Sequence, residues 1–138
     1  MASCELCDSA GETVLWRNAL CRVVLADEPD YPGFCRVILN RHVREMTDLD
    51  NASRLRLMQV VFAVEQALRE LMRPVKINLA SLGNRVAHLH WHVIPRFADD
   101  AHFPASVWSE AKRAGAPREL ERAALQQALH KSLQAMAE

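Results

Sequence analysis

His88-Leu89-His90-Trp91-His92-Val93-Ile94 decides how this chain is read. Three of the six histidines fall within five residues and alternate with Leu89, Trp91 and Val93. Extended backbone sends successive side chains to opposite faces. A strand therefore gathers all three imidazoles on one face and the three bulky apolar side chains on the other. A helix would turn the middle ring away from its neighbours and scatter the apolar residues. Gly83 before the segment and Pro95 after it bound a strand-length stretch, so the spacing predicts a strand over residues 86–94 (VAHLHWHVI). Its apolar face packs on a core, and rings about 6–7 Å apart along the chain line the other face. Such a row serves one of two chemistries. Its neutral nitrogens hold a metal, or one ring attacks as a nucleophile while its neighbours supply protons and hydrogen bonds. The plain alternative is three histidines on an exposed sheet.

The remaining sequence supplies a frame for that strand. Residues 14–16 (VLW) and 21–26 (CRVVLA) read as strands joined by a hairpin connection at 17–20. Residues 27–33 (DEPDYPG) read as a loop and 34–40 (FCRVILN) as a third strand. Thr47 is an N-cap candidate, with Asp50 three residues on. The helix it opens carries Leu55, Met58, Phe62, Glu65, Leu68 and Met72 at spacings of three and four, widened by Leu57, Val61, Val64 and Leu71. Pro74 ends it, because the residue before a proline avoids helical angles. Residues 75–79 (VKINL) form another strand candidate, 98–115 look irregular, and 119–136 read as a second amphipathic helix with Pro117 near its start. Strands come in hairpin-like pairs and do not alternate with helices. The class is therefore α+β: an antiparallel sheet of about five strands, one long helix packed on it, and a C-terminal helix.

At 138 residues the chain is expected to be one domain spanning 1–138, with a core over about 4–108 and the C-terminal helix over 116–137. That length supports a hydrophobic core without cross-links. Lys+Arg and Asp+Glu both number 17, so the net charge is zero and no global field draws in a nucleic-acid polymer or an anionic membrane. No apolar run reaches membrane-spanning length, and the opening MASCELCDSAGET has neither a basic nor an apolar signal region. The expected location is the cytoplasm, with no membrane partner. In that setting Cys4-x-x-Cys7 points to metal or redox chemistry, while Cys21 and Cys35 read as small buried hydrophobes.

The pattern His-φ-His-φ-His-φ-φ, with φ apolar, resembles the signature of the histidine triad (HIT) nucleotide hydrolases and transferases, and residues 88–94 fill every position of it. Asn78 lies ten residues upstream where that family places an asparagine, Gly83-Asn84 falls where it commonly has Gly-Gln, and Pro95-Arg96 follows the motif. The likeness runs from Cys4 to about Trp108. It implies a HIT-like fold and attack by the middle histidine, here His90, on the α-phosphorus of a nucleotide to give a covalent nucleotidyl-histidine. An imidazole attacks only when neutral, and neighbouring imidazoles disfavour a second charge. By the same resemblance His92 donates to a phosphate oxygen or the leaving group, and Asn78 and Asn84 position phosphate oxygens. Arg85 and Arg96 are nearby charges suited to a phosphoryl transition state, or else solvated charges at a strand edge. Cys4, Cys7, His42 and His88 resemble the zinc set of one branch of the family, a closed Cys2His2 site and hence structural. No organic cofactor is implied. A nucleotide substrate and a homodimer are.

Three positions depart from the family. Phe34 follows Pro32-Gly33 where many members carry a histidine, Ala26 stands eight positions earlier where an acid holds the ribose hydroxyls, and Asn84 replaces a longer glutamine. Asp27 serves the ribose if the loop shifts by one residue, and is otherwise an ordinary loop acid. These departures keep two other functions in view. One is a module that binds or senses nucleotides without turning them over. The other is a mononuclear metallohydrolase with His88, His90 and His92 as ligands. Residues 99–104 (DDAHFP), which include His102, form with Trp108 either a lid over the base or over the partner subunit's site, or a packing anchor, and His130 belongs to the helix surface.

Overall fold

The computed structural model describes residues 4–136; residues 1–3 and 137–138, which the expected domain span includes, lie outside the described residues. Five strands, β1 (Thr13–Arg17), β2 (Cys21–Leu25), β3 (Cys35–Leu39), β4 (Lys76–Ala80) and β5 (His90–Arg96), form one antiparallel sheet in the order β1-β2-β3-β5-β4. Two helices, α1 (Asn51–Met72) and α2 (Arg122–Met136), complete the α+β architecture. The turn from β1 to β2 is held by Asn18, whose side-chain oxygen accepts from the backbone N–H of Leu20 and Cys21. That is the local bond asparagine makes in tight turns.

α1 begins later than its sequence suggests. Met46–Asp48 is a short 3-10 turn, and Asp50, not Thr47, is the N-cap, accepting from Ser53 N–H at 2.7 Å. The buried arc of α1 is Leu57, Val60, Val61, Ala63, Val64, Ala67 and Leu68. Leu55 is 67 % exposed and Phe62 48 %, so the expected stripe is rotated. The cause is that α1 is covered from two directions, by β3 and β5 and by α2. Small residues at 63 and 67 fit into that wider contact, and periodicity alone gave them no weight. α2 itself starts at Arg122, three residues after the expected point.

β5 also starts later than expected, at His90 and not at residue 86. Leu89 still pairs with its neighbours, donating to Val43 and accepting from Leu39, but the His88 ring is drawn toward the N-terminal thiols and Leu39. Odd-numbered residues of β5 face α1: Val93 is fully buried and Trp91 packs on the main core. Even-numbered residues His90, His92, Ile94 and Arg96 face the other way, where Ile94 joins Ala26, Tyr31 and Phe34 in a second small cluster. β3 pairs with β5 only as far as Val93. The missing N–H of Pro95 therefore falls where there is no ladder bond to lose.

The base of this second face is an ion pair. Arg96, 2 % exposed, donates from Nε and Nη2 to Asp100 at 2.8 and 3.0 Å, from Nη2 to the Ala105 carbonyl, and from Nη1 to Asn78 Oδ1 at 2.8 Å. It is thus not the solvated edge charge that its position in the sequence allows. Asp100 also accepts from the backbone N–H of Phe97, His102 and Phe103, and bonds the Tyr31 hydroxyl, which also contacts His102 Nδ1. Burial alone would raise the Asp100 carboxyl, but Arg96 and these N–H groups hold it well below the usual carboxylate range. This cluster fixes the segment after β5. Asp100→Ala, which strands Arg96 in the interior, is expected to lower unfolding free energy by about 3–5 kcal/mol in denaturant titrations, while exposed Asp99→Ala changes it by less than about 1 kcal/mol. Because the folded carboxyl is the stronger acid, its contribution is complete above the ordinary carboxylate range and lost as pH falls below it.

Candidate active site and metal centre

The even face of β5 carries the reactive groups. His90 Nδ1–H donates to the His88 carbonyl oxygen at 2.6 Å. A carbonyl only accepts, so Nδ1 carries a proton, and in the neutral ring Nε2 keeps the lone pair. The His92 ring stands 4.9 Å from the His90 ring, centroid to centroid, nearly perpendicular to it. Phe34 and Trp108 pack edge-on against His92 at 5.6 and 5.0 Å. His92 Nδ1 is buried without a hydrogen-bond partner among the described residues, as is Trp91 Nε1 on the other face. Burial, then the charges of His90 and Arg36, push the His92 pKa down to about 4.

These rings open into a cavity of about 560 Å³, lined by Glu5, Leu6, Arg36, Leu82, Gly83, Asn84, Arg85, Val86, His90, His92 and Trp108. The structure therefore brings His90, His92, Asn84 and Arg85 together. Asn78 and Arg96 lie along the same sheet face but are bonded to each other and do not line this cavity. Since Asn78 Oδ1 accepts from Arg96, its Nδ2 is the end left to donate. Asp27 is exposed and lines a neighbouring cavity with Ala26 and Arg36. Trp108 covers its own chain's His92, and His130 is exposed on α2. Arg36 and Glu5 went unnoticed in the sequence, where Phe34 stood out only as a departure from the family pattern. For Arg36 the signal is its register opposite His92, which no single-strand pattern reveals.

His88 plays a different part from its two neighbours. It is fully buried, its Nε2–H donates to the Leu39 carbonyl at 2.6 Å, and its Nδ1 faces Cys4 Sγ at 3.4 Å and Cys7 Sγ at 3.5 Å. Cys7 Sγ is 3.3 Å from His42 Nδ1, and all four ligand atoms lie within 4.8 Å of one another. A tetrahedral ion with ordinary zinc bond lengths has S···N edges of roughly 3.5 Å, so the donor set fits such an ion. Burial is the main cause that lowers the His88 pKa, opposed by the bond to Leu39, which leaves the ring in the neutral form a metal requires. With both His88 nitrogens turned away from the cavity, the three rings do not converge on one point. A three-histidine chelate has no support in this geometry.

Comparison with known proteins places these features in context. A family model described as "HIT domain" matches residues 9–99. The chain is 33% identical over 105 residues to the AP-4-A phosphorylase of Mycobacterium tuberculosis, a match covering 72% of this chain and 53% of that protein. The chain thus spans about half the length of the curated relatives it matches. Among solved structures, a histidine triad protein from Marinobacter aquaeolei superposes with a TM-score of 0.72 at 29% identity, covering 92% of each chain. A histidine triad protein from Bradyrhizobium japonicum does so with a TM-score of 0.69 at 27% identity and 89% coverage of each.

The pH behaviour of His92 follows from its burial. Its folded pKa lies below the ordinary value of 6.5, so the unfolded chain binds the proton first and stability falls as pH drops from 6.5 toward 4. Stability measured across that window is expected to decline less in His92→Asn than in the wild type, and an equal decline would show that His92 is not the titrating group.

Proposed function

The chain belongs to the HIT-domain family, and from that premise we propose that it is a nucleotide-processing hydrolase or nucleotidyl transferase. The observation that carries this reading is the bond from His90 Nδ1–H to the His88 carbonyl, which leaves Nε2 as an unprotonated nucleophile at the cavity. In the proposed reaction His90 Nε2 attacks the α-phosphorus of a dinucleoside polyphosphate, a nucleoside phosphoramidate or an adenylate. The N–P bond forms as the bond to the leaving group breaks. His92, neutral at working pH, presents an N–H to a phosphate oxygen or to the departing group. Arg85, with the amide of Asn84, offsets charge on the phosphoryl oxygens. Asn78, oriented by Arg96, offers a further neutral donor, and Asp27 is the acid available to ribose hydroxyls. Water then cleaves the N–P bond and releases the nucleoside monophosphate, or another acceptor takes the nucleotidyl group, and either step restores the imidazole. The name of the mycobacterial relative favours a dinucleoside polyphosphate among these substrates.

The reading includes a structural zinc on Cys4, Cys7, His42 and His88, supported by the fit of the donor set to a tetrahedral ion. Bound, the ion supplies a closed anchor and no open coordination position. The residues it ties down include Glu5 and Leu6, which form part of the cavity wall. No organic cofactor takes part. A homodimer is also proposed, supported by the open edge of β4 and by exposed Leu55 and Phe62 on α1. The cytoplasm, where thiols stay reduced, is the proposed location. No helix among the described residues is long and apolar enough to cross a membrane.

Two outcomes are expected. Protein quenched during turnover of adenosine phosphoanhydrides should carry a nucleotidyl group that peptide mapping by mass spectrometry places on His90. His90→Ala should keep the wild-type circular dichroism spectrum while losing roughly a thousandfold or more in turnover. Nucleotide binding with neither adduct nor turnover would instead identify a non-catalytic sensing module. Elemental analysis of protein purified without chelator should give one zinc per chain, and Cys7→Ala should reduce this several-fold. Equal zinc content in the two proteins would contradict the proposed site.

A further inference from the structure

On the face of the sheet that holds the site, β2, β3 and β5 each carry an arginine, and two of these three are neutralised. Arg22 on β2 pairs with Glu12 at 2.8 Å, and Arg96 on β5 pairs with Asp100 at 2.8 Å. Arg36 lies between them on β3. Among the described residues no carboxylate oxygen comes within 4 Å of its guanidinium, and the side chain makes no hydrogen bond. It is half-buried, stands opposite His92 in the ladder, and its Cζ lies 5.8 Å from the centre of the Phe34 ring. It also lines two cavities: the one that holds His90 and His92, and a second of about 260 Å³ beside Ala26 and Asp27.

A guanidinium is always charged, and its planar fork matches two oxygens of one phosphate. Holding such a group half out of water with no counter-charge is unfavourable until an anion arrives. The phosphate attacked at Nε2 already has His92, Asn84 and Arg85 around it. We propose that Arg36 binds a second phosphate of the substrate, distinct from the one His90 attacks, so that the preferred substrate carries at least two phosphoryl groups. This rests on the nucleotide reading and deepens it. The second phosphate lies either next in an anhydride chain or on the ribose. The second cavity also carries the carboxylates of Glu5, Asp8, Glu12 and Asp27, which oppose a phosphate there, so the chain position is favoured and the ribose position is the outcome the test separates from it.

The test is calorimetric binding of AMP, ADP and adenosine 3′,5′-bisphosphate to the full chain as purified, to Arg36→Gln and to Arg36→Lys. Wild type is expected to bind ADP or the bisphosphate on the order of 10- to 100-fold more tightly than AMP. Arg36→Gln should collapse that ratio toward one, and Arg36→Lys should retain part of it. Collapse of the ADP ratio assigns the second phosphate to the chain, and collapse of the bisphosphate ratio assigns it to the ribose. A wild type that binds all three alike, a preference that survives Arg36→Gln, or an equal loss for all three compounds overturns the proposal. Should Arg36→Gln fail to fold, the same ratios in Arg36→Lys decide, and full wild-type preference there overturns it. A wild type that binds none of the three brings down the nucleotide reading itself, whereas equal binding of all three brings down only the role of Arg36.

Discussion

One hydrogen bond, from His90 Nδ1 to the carbonyl oxygen of His88, turns a row of histidines into a directed nucleophile. An imidazole left to itself exchanges its proton between two nitrogens, and half its orientations point nothing at a substrate. Here the backbone holds one nitrogen, so the other faces the cavity with its electron pair. The bond depends on the position of the His88 carbonyl, which depends in turn on the His88 ring. That ring is pinned on one side by Leu39 and faces the two thiols on the other. The metal-binding donor set and the reactive strand are therefore joined through a single residue, with its ring in one site and its carbonyl in the other.

The two faces of β5 divide the remaining work. The odd face belongs to the core under α1, where Val93 and Trp91 anchor the strand. The even face would be costly to build from polar groups unless each were satisfied. Arg96 and Asp100 achieve this at the far end by neutralising each other and collecting backbone bonds. Trp108, on the irregular segment after β5, then reaches back over His92. Among the described residues, His92 Nδ1 is buried without a hydrogen-bond partner and Arg36 has no ion-pair partner, and both residues line the cavity where a phosphorylated ligand would sit.

Much of this arrangement was legible in the sequence, because alternation and turn chemistry are local. The five strands, the long helix and the isolation of His88, His90 and His92 all follow from spacing within a few residues. The convergence of Cys4, Cys7, His42 and His88 was legible only through resemblance, since its members are separated by up to 84 residues. What escaped was non-local. Arg36 joins the site only through the pairing of β3 with β5, and Arg96 became a buried ion pair only through the fold of residues 97–105. The buried arc of α1 was misplaced because periodicity assumes one covering layer and this helix has two. His88 left the strand because its ring answers to the N-terminal thiols, a demand the alternation pattern does not record.

The account stands on the tautomer of His90, which ¹⁵N NMR of histidine-labelled protein reads directly through long-range couplings from the ring carbons' protons. The expected spectrum at neutral pH shows a protonated Nδ1 and a bare Nε2 for His90, assigned by comparison with His90→Gln. A proton on Nε2 with Nδ1 bare would contradict it, since the nitrogen facing the cavity would then have no electron pair with which to attack phosphorus.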